Sequence, residues 1–311
     1  MKTGIYEAVV FGLAASAFAQ TPPLGVGSDS NPTIIGIAWA RGVADGPGNS
    51  YGAGASNSAR NRSPLETYHG GKIMPTAVTK AIFRGASWSN SSFVGDKISG
   101  LDNWYIGISS NYAKTSDEWT GTNGQVGPVT THQGHVIDTS TATGGNNTSA
   151  TLNEVCKQIS NGSISVDTAG NGYYPVYVDV KRGNAGYCAW HAAGSCGGHA
   201  VQFAFFFNLD GDPGCDPQDT TTGHSQGLAA LANVSGHELS EARSDPASPG
   251  AWYDSSGEEN GDTCAWTFNV PSVTFSNGSQ WKIQGEWSNA AYNAGTGYPN
   301  SSGQKGCLDG H

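Results

Sequence analysis

The residues best equipped for chemistry stand together at His237-Glu238-Leu239-Ser240-Glu241. In a helix, positions four apart lie one turn apart on a single face. An imidazole nitrogen of His237 and a carboxylate oxygen of Glu241 can then meet one divalent cation, with Glu238 projecting beside them. The pattern H-E-x-x-E resembles the zinc-protease arrangement H-E-x-x-H. There two helix ligands hold zinc and the intervening Glu handles the proton of the attacking water. A carboxylate in place of the second imidazole moves preference toward harder ions. The expected ion is Zn2+, with another divalent cation as the alternative and Ca2+ as a structural ion.

More acids lie just downstream. Asp245, Asp254, Glu258, Glu259 and Asp262 join Glu238 and Glu241 between His237 and residue 262. So many carboxylates repel one another, and a bound cation is the simplest remedy. Asp245, Glu259 and Asp262 are the candidates for a third ligand; the plain alternative is an exposed acidic loop. In this reading Glu238 is the general base.

Three other constellations are weaker. Asp210-Gly211-Asp212-Pro213-Gly214-Cys215-Asp216-Pro217-Gln218-Asp219 alternates acids with turn residues, but it lacks the full calcium-loop pattern and reads as a turn tied by Cys215. Cys188-x-x-His191 and Cys196-x-x-His199 have zinc spacing, yet in an oxidising compartment both cysteines favour disulfides. His132 and His135 near Asp138 read as surface histidines. No Gly-x-Ser-x-Gly elbow and no phosphate loop occurs. Trp88, Trp104, Trp119 and Trp287 are candidate platforms for sugar rings, though most aromatics fill cores.

The elements that must position these residues are legible in outline. Ala77 to Trp88 reads as a strand, and Phe93 to Tyr105 carries apolar residues at helical spacing. Ser149 to Ser160 is a second helix closed by Asn161-Gly162. Tyr174 to Val180 is β-rich, and Ala200 to Phe207 is a run, apolar except at Gln202, expected of a strand buried on both faces. A long helix opens at Gly223-His224-Ser225 and runs to about Arg243, with Pro246 stopping it. β signals return at Cys264 to Phe268 and Trp281 to Trp287. Residues 20–70 are rich in Gly, Ser and Asn and read as a flexible N-terminal segment in which only Thr33 to Trp39 suits a strand. The expectation is one α+β domain over 71–311. It has a mixed sheet packed against helices, a zincin-like active-site helix and disulfide stabilisation.

Residues 1–19 look like a signal peptide, with an apolar run from Ala8 to Ala15 and Ala17-Phe18-Ala19 at the cleavage site. Six cysteines in an exported chain favour three disulfides, in pairings that spacing alone leaves open. Sequons at Asn61, Asn90, Asn146, Asn147, Asn161, Asn233, Asn277 and Asn300 fit a secreted glycoprotein. A net charge of −10 disfavours nucleic acid, and no stretch is apolar enough to span a membrane. The chain is read as a monomer acting on an extracellular protein or polysaccharide.

Tyr68-His69-Gly70-Gly71, Tyr187-Cys188-Ala189-Trp190-His191, Ser235-Gly236-His237-Glu238-Leu239-Ser240-Glu241-Ala242 and Trp252-Tyr253-Asp254 together resemble the phosphate-induced protein family. Its plant members are EXORDIUM-like cell-wall proteins. The resemblance spans most of 68–290 and implies an extracellular protein linked in plants to the apoplast and growth responses. It is to the microbial type, which carries the His-Glu pair that plant members lack at this helix. Two functions are therefore expected. One is a secreted metal-dependent hydrolase, a zinc-type peptidase. The other is a non-catalytic protein of the cell wall that binds polysaccharide around a structural metal.

Overall fold

A computed structural model describes residues 32–43, 63–108, 111–145 and 147–311. The expected signal peptide lies outside the described residues. So do most of the Gly/Ser/Asn-rich segment and the sequon positions Asn61 and Asn146.

The fold is a mixed six-stranded sheet with helices on both faces. Its strands are β1 (Ile34–Trp39), β2 (Ala77–Arg84), β3 (Thr130–Asp138), β4 (Gly172–Lys181), β5 (Tyr187–Cys196) and β6 (His199–Asn208). Their order across the sheet is β1-β5-β6-β4-β2-β3. β1, β5 and β6 run antiparallel in turn, whereas β6, β4, β2 and β3 are joined by parallel ladders. Parallel strands need cover on both faces, which is why β6 is apolar from Val201 to Phe207 except at Gln202, and the whole stretch is buried.

Residues 20–70 are not all a flexible segment as their composition suggests. Ile34–Trp39 lies in the main sheet as the edge strand beside β5, and Glu66 is buried.

Four helices frame the sheet: α1 (Lys97–Gly107), α2 (Thr148–Ser160), α3 (Gln226–Ser244) and α4 (Asn260–Thr263). α3 starts at Ser225, whose side chain accepts the Leu228 N–H, a standard way to satisfy a first-turn donor. Every residue from Gly227 to Ser244 is buried, because β1, β5 and β6 lie under the helix while α1 and α4 cover it. Such a helix is lined with small residues, and at Gly236 a Cβ would stand 2.8 Å from the Tyr112 hydroxyl. α2 packs on β4, β5 and β6 from the opposite face. Gly194 meets Leu152 there, and His191, an odd number of residues away on the same strand, points the other way toward α3.

Three disulfides close the framework. Cys156–Cys196 ties α2 to the end of β5, Cys188–Cys215 ties the start of β5 to the turn after β6, and Cys264–Cys307 ties the end of α4 to the C-terminal strand. No described helix is long and apolar enough to cross a membrane.

Several local expectations need correction. Cys264 to Phe268 is not a strand; it is the turn leaving α4, held by the Cys264 disulfide. The Phe93–Tyr105 helix is broken at Gly95, whose φ of 52° ends the short helix Ser91–Val94 before α1 begins. Trp88, Trp104, Trp119 and Trp287 are all buried and offer no face to a sugar. Asn233 is fully buried in α3 and accepts the Gln284 N–H at 2.8 Å, so the folded chain has no room for a glycan there.

Candidate metal centre

His237 and Glu241 do share one face of α3, as the i, i+4 spacing requires. His237 Nε2 and Glu241 Oε1 are 2.9 Å apart, and Asp262 Oδ1 is 3.6 Å from the same nitrogen. One donor atom from each of His237, Glu241 and Asp262 falls within 4.8 Å of the others.

A second trio shares Glu241. His191 Nε2 is 3.3 Å from Glu259 Oε2 and 3.6 Å from Glu241 Oε2, and these three also lie within 4.8 Å of one another. Glu241 therefore aims one oxygen at each histidine.

Each ligand is held by its own element. His191 sits mid-strand in β5, opposite Gly36 of β1 and Ala204 of β6. Side chains of opposed residues point to the same face, so any side chain at 36 would enter the cluster. A Cβ there would collide with Glu241 Oε2, Glu259 Oε2 and His191 Nε2 at once, which explains the glycine. Glu259 and Asp262 form a capping box at α4, and Asp262 Oδ2 accepts the Glu259 N–H at 3.2 Å, leaving Oδ1 toward His237. Gly261 lets this turn close in: a Cβ would lie 2.9 Å from Glu241 Oε1 and 3.1 Å from the His237 ring. Gln284 Nε2 is 3.2 Å from His237 Nδ1 and donates to the Gly261 carbonyl, bracing ring and turn from outside.

The electrostatics of this interior are unusual. Burial, then the neighbouring His191, lowers the His237 pKa to about 3. Burial lowers that of His191 to about 4, against the pull of Asp245. Both rings are thus neutral at physiological pH, the form that ligates metals. The acids move the opposite way. Burial, followed by the charges of Asp262, Glu259, Glu238 and Glu286, holds the Glu241 carboxyl well above the usual range. Glu238, Glu259, Glu286 and Glu66 are raised as well, each chiefly by burial. Asp245 rises to about 8 through burial and then Glu259.

Among the described residues, no Lys or Arg ion-pairs with Glu238, Glu241 or Glu259; their charged neighbours are histidines and other acids. Neither oxygen of Glu241 has a hydrogen-bond partner, nor has His237 Nε2, because the 2.9 Å approach between them lacks hydrogen-bond alignment. Unpartnered buried carboxylates are costly. A divalent cation removes that cost, and one imidazole with two carboxylates is an acceptable donor set for it.

Of the residues expected at the site, the structure gathers His237, Glu241 and Asp262 in one trio and brings Glu259 to the adjoining one. Asp245 joins neither; its Oδ1 accepts the Ala251 N–H at 2.6 Å and closes the turn after α3. Glu238 is fully buried, with Oε1 accepting the Ala38 N–H at 2.8 Å and Oε2 unpartnered. The residue that sequence reasoning underrates is His191. Its neighbour Cys188 pairs with Cys215, so the Cys-x-x-His spacing carries no metal signal, but a histidine in an apolar strand is itself the clue.

The remaining expectations resolve simply. Asp210 pairs with Lys97, and Asp212 takes Arg182 in a two-pronged ion pair, so that loop is a turn. His132 is not a surface residue. Its side chain is nearly covered and bridges Thr79 Oγ1 and Asp102 Oδ1, each at 2.9 Å, while His135 reaches Asp102 Oδ2 at 2.7 Å. A cavity of ≈ 590 Å³ lies elsewhere, beside Lys114, Asn269, Tyr298 and Asp309, and none of the clustered residues lines it.

Compared with protein-family models, with curated proteins and with solved structures, the chain matches none.

Proposed function

We propose that this chain is an exported, divalent-metal-dependent hydrolase of zinc-peptidase type, built on a zincin-like α3. The observation that carries the reading is the convergence of His237 Nε2, Glu241 Oε1 and Asp262 Oδ1 on one point in a buried, cation-poor interior. Their side chains are the more open part of the cluster: those of His237 and Asp262 are 3% and 9% exposed, against 0% for Glu241. A substrate carbonyl approaches from that side.

When bound, a divalent cation supplies Lewis acidity and makes an attacking water more acidic. Glu238 would be the base for that water, with Oε2, the oxygen left unpartnered, as the proton's acceptor. The Ala38 N–H, donating to Oε1, fixes the carboxylate's orientation. His237 and Glu241 hold their positions through the helix and through the Gln284 brace. The three disulfides and the resemblance to the phosphate-induced protein family support export to a cell wall or matrix, with an extracellular protein as the substrate.

The test uses protein purified without chelators and a mixed peptide library. Wild type should cleave, lose activity to a chelator and recover it with Zn2+. Glu238→Gln should lose at least ~100-fold in rate while keeping its metal. A Glu238→Gln protein as active as wild type removes Glu238 from the chemistry.

One observation favours a second reading, a non-catalytic cell-wall protein whose metal is structural. The ligand atoms are enclosed, and the ≈ 590 Å³ cavity lies away from them. Stoichiometric metal with no turnover on any peptide, together with unfolding on chelation, selects this reading. Polysaccharide contact would then use exposed Tyr68 and its neighbour Trp252, whose rings lie 5.4 Å apart, in place of the four buried tryptophans.

A further inference from the structure

We infer that the site takes two divalent cations, with Glu241 bridging them: an outer ion on His237, Glu241 and Asp262, and an inner ion on His191, Glu241 and Glu259. This deepens the metal-centre reading above and rests on it.

The geometry of Glu241 is the first support. Its carboxylate is fully buried, its two oxygens are separately directed at His237 Nε2 (2.9 Å) and His191 Nε2 (3.6 Å), and neither has a hydrogen-bond partner. A carboxylate serving one ion has no use for a second, opposed imidazole. A bridging carboxylate needs such an arrangement, and paired metals in two-metal sites stand about 3.5–4 Å apart.

The inner trio also has its own scaffold, which owes nothing to the helix motif. His191 comes from the middle of β5 and Glu259 from the cap of α4, and Gly36 of β1 clears the space in front of both. Any other residue at 36 would fill it. The inner side chains are also the more enclosed, at 0% for His191 and 2% for Glu259.

Charge balance supplies the third argument. Glu66, Glu238, Glu241, Asp245, Glu259, Asp262 and Glu286 are all buried. Of these, Glu241, Glu259 and Asp262 are the carboxylates of the two trios. The buried Arg243 acts on Glu286 at the edge of this group, and its guanidinium donates to the carbonyls of Ala113 and Gly127. One divalent ion offsets two of the three ligating carboxylates, whereas two ions offset all three. The division of labour comes from exposure. The outer ion would face the substrate side, and the inner ion would fasten β5 and α4 to α3.

The experiment is a titration of metal-stripped protein with Co2+ alone, followed by visible absorption and by elemental analysis after desalting. Wild type should bind two equivalents. His191→Asn and Glu259→Gln should each bind one, His237→Asn should bind one, and Glu241→Gln should bind none or one weakly. His191→Asn should also melt at a lower temperature than wild type in saturating Co2+. A single equivalent in wild type that survives His191→Asn but not His237→Asn overturns the inner site and leaves the hydrolase reading intact. One equivalent lost in both histidine variants overturns the two-ion arrangement in favour of a single shared ion. No bound metal in wild type overturns the inner site and the metal centre together.

Discussion

Residues 210–219, before α3, and residues 254–262, after it, are acid-rich turns of nearly equal length, and as sequence they invite the same interpretation. The fold treats them in opposite ways. In the first, Asp210 meets Lys97, Asp212 is clamped by Arg182, and Asp219 accepts from Thr221 and Thr222. Although burial pushes the other way, these partners hold the Asp212 and Asp219 carboxyls below their ordinary range. In the second, Glu259 is carried inward to face Glu241 and the neutral His191, and its carboxyl is pushed up by burial. Acid density alone therefore says little about cation binding. What separates the two turns is whether the chain supplies its own positive partners.

Four experiments sharpen or break that contrast. The largest effect is expected from Gly36→Ala. Its methyl group enters the inner trio, so it should expel that ion and cost on the order of 3 kcal/mol in denaturant unfolding. A variant with unchanged metal content and stability would mean that the trio can move aside.

Chelation comes next. In the metal-free protein the carboxyl pKa values of Glu66, Glu241 and Asp245 lie above their unfolded values. Groups raised in this way contribute stability below the unfolded pKa and lose it as pH rises, for Asp245 through about 8. A cation favours the ionised forms instead. Stripping the metal should therefore lower Tm by roughly 5–10 °C at pH 8 and by much less at pH 5. Equal shifts at both values would contradict the charge account.

Asp212→Asn, in the self-sufficient turn, should cost no more than about 1 kcal/mol and leave metal content untouched, as elemental analysis would check.

The smallest effect concerns Asp102. Burial raises its carboxyl, but hydrogen bonds from His132 and then His135 outweigh that and hold it low. A depressed acid contributes above its unfolded pKa of about 4 and ceases to contribute as pH falls through its folded value. Asp102→Asn should thus cost about 0.5 kcal/mol near neutrality and nearly nothing at pH 2, measured by urea unfolding.

Much of the frame is legible in the residues. The run at Ala200–Phe207, apolar except at Gln202, marks a doubly covered strand, and Ser225 with Pro246 brackets α3 to within a few residues. Half the site is legible too, because i, i+4 spacing is a local rule and places His237 beside Glu241 without help from the fold. His191 is not legible as a ligand. It meets Glu241 only because β5 passes under α3, and 50 residues of chain separate them. Gly36 is hidden for the same reason: the need for a glycine there appears only once the β1–β5 register is known. The tryptophans mislead because an indole's burial depends on tertiary packing, and all four named ones fill cores.

The central claim is that a cation sits between His237 Nε2 and Glu241. Its most direct test is anomalous X-ray scattering, recorded on either side of the zinc absorption edge, from crystals grown with Zn2+ and no chelator. The account predicts a peak within about 2.0–2.2 Å of His237 Nε2 and of a Glu241 oxygen. A map without such a peak, in which Glu241 hydrogen-bonds to a neighbouring protonated carboxyl, would contradict it.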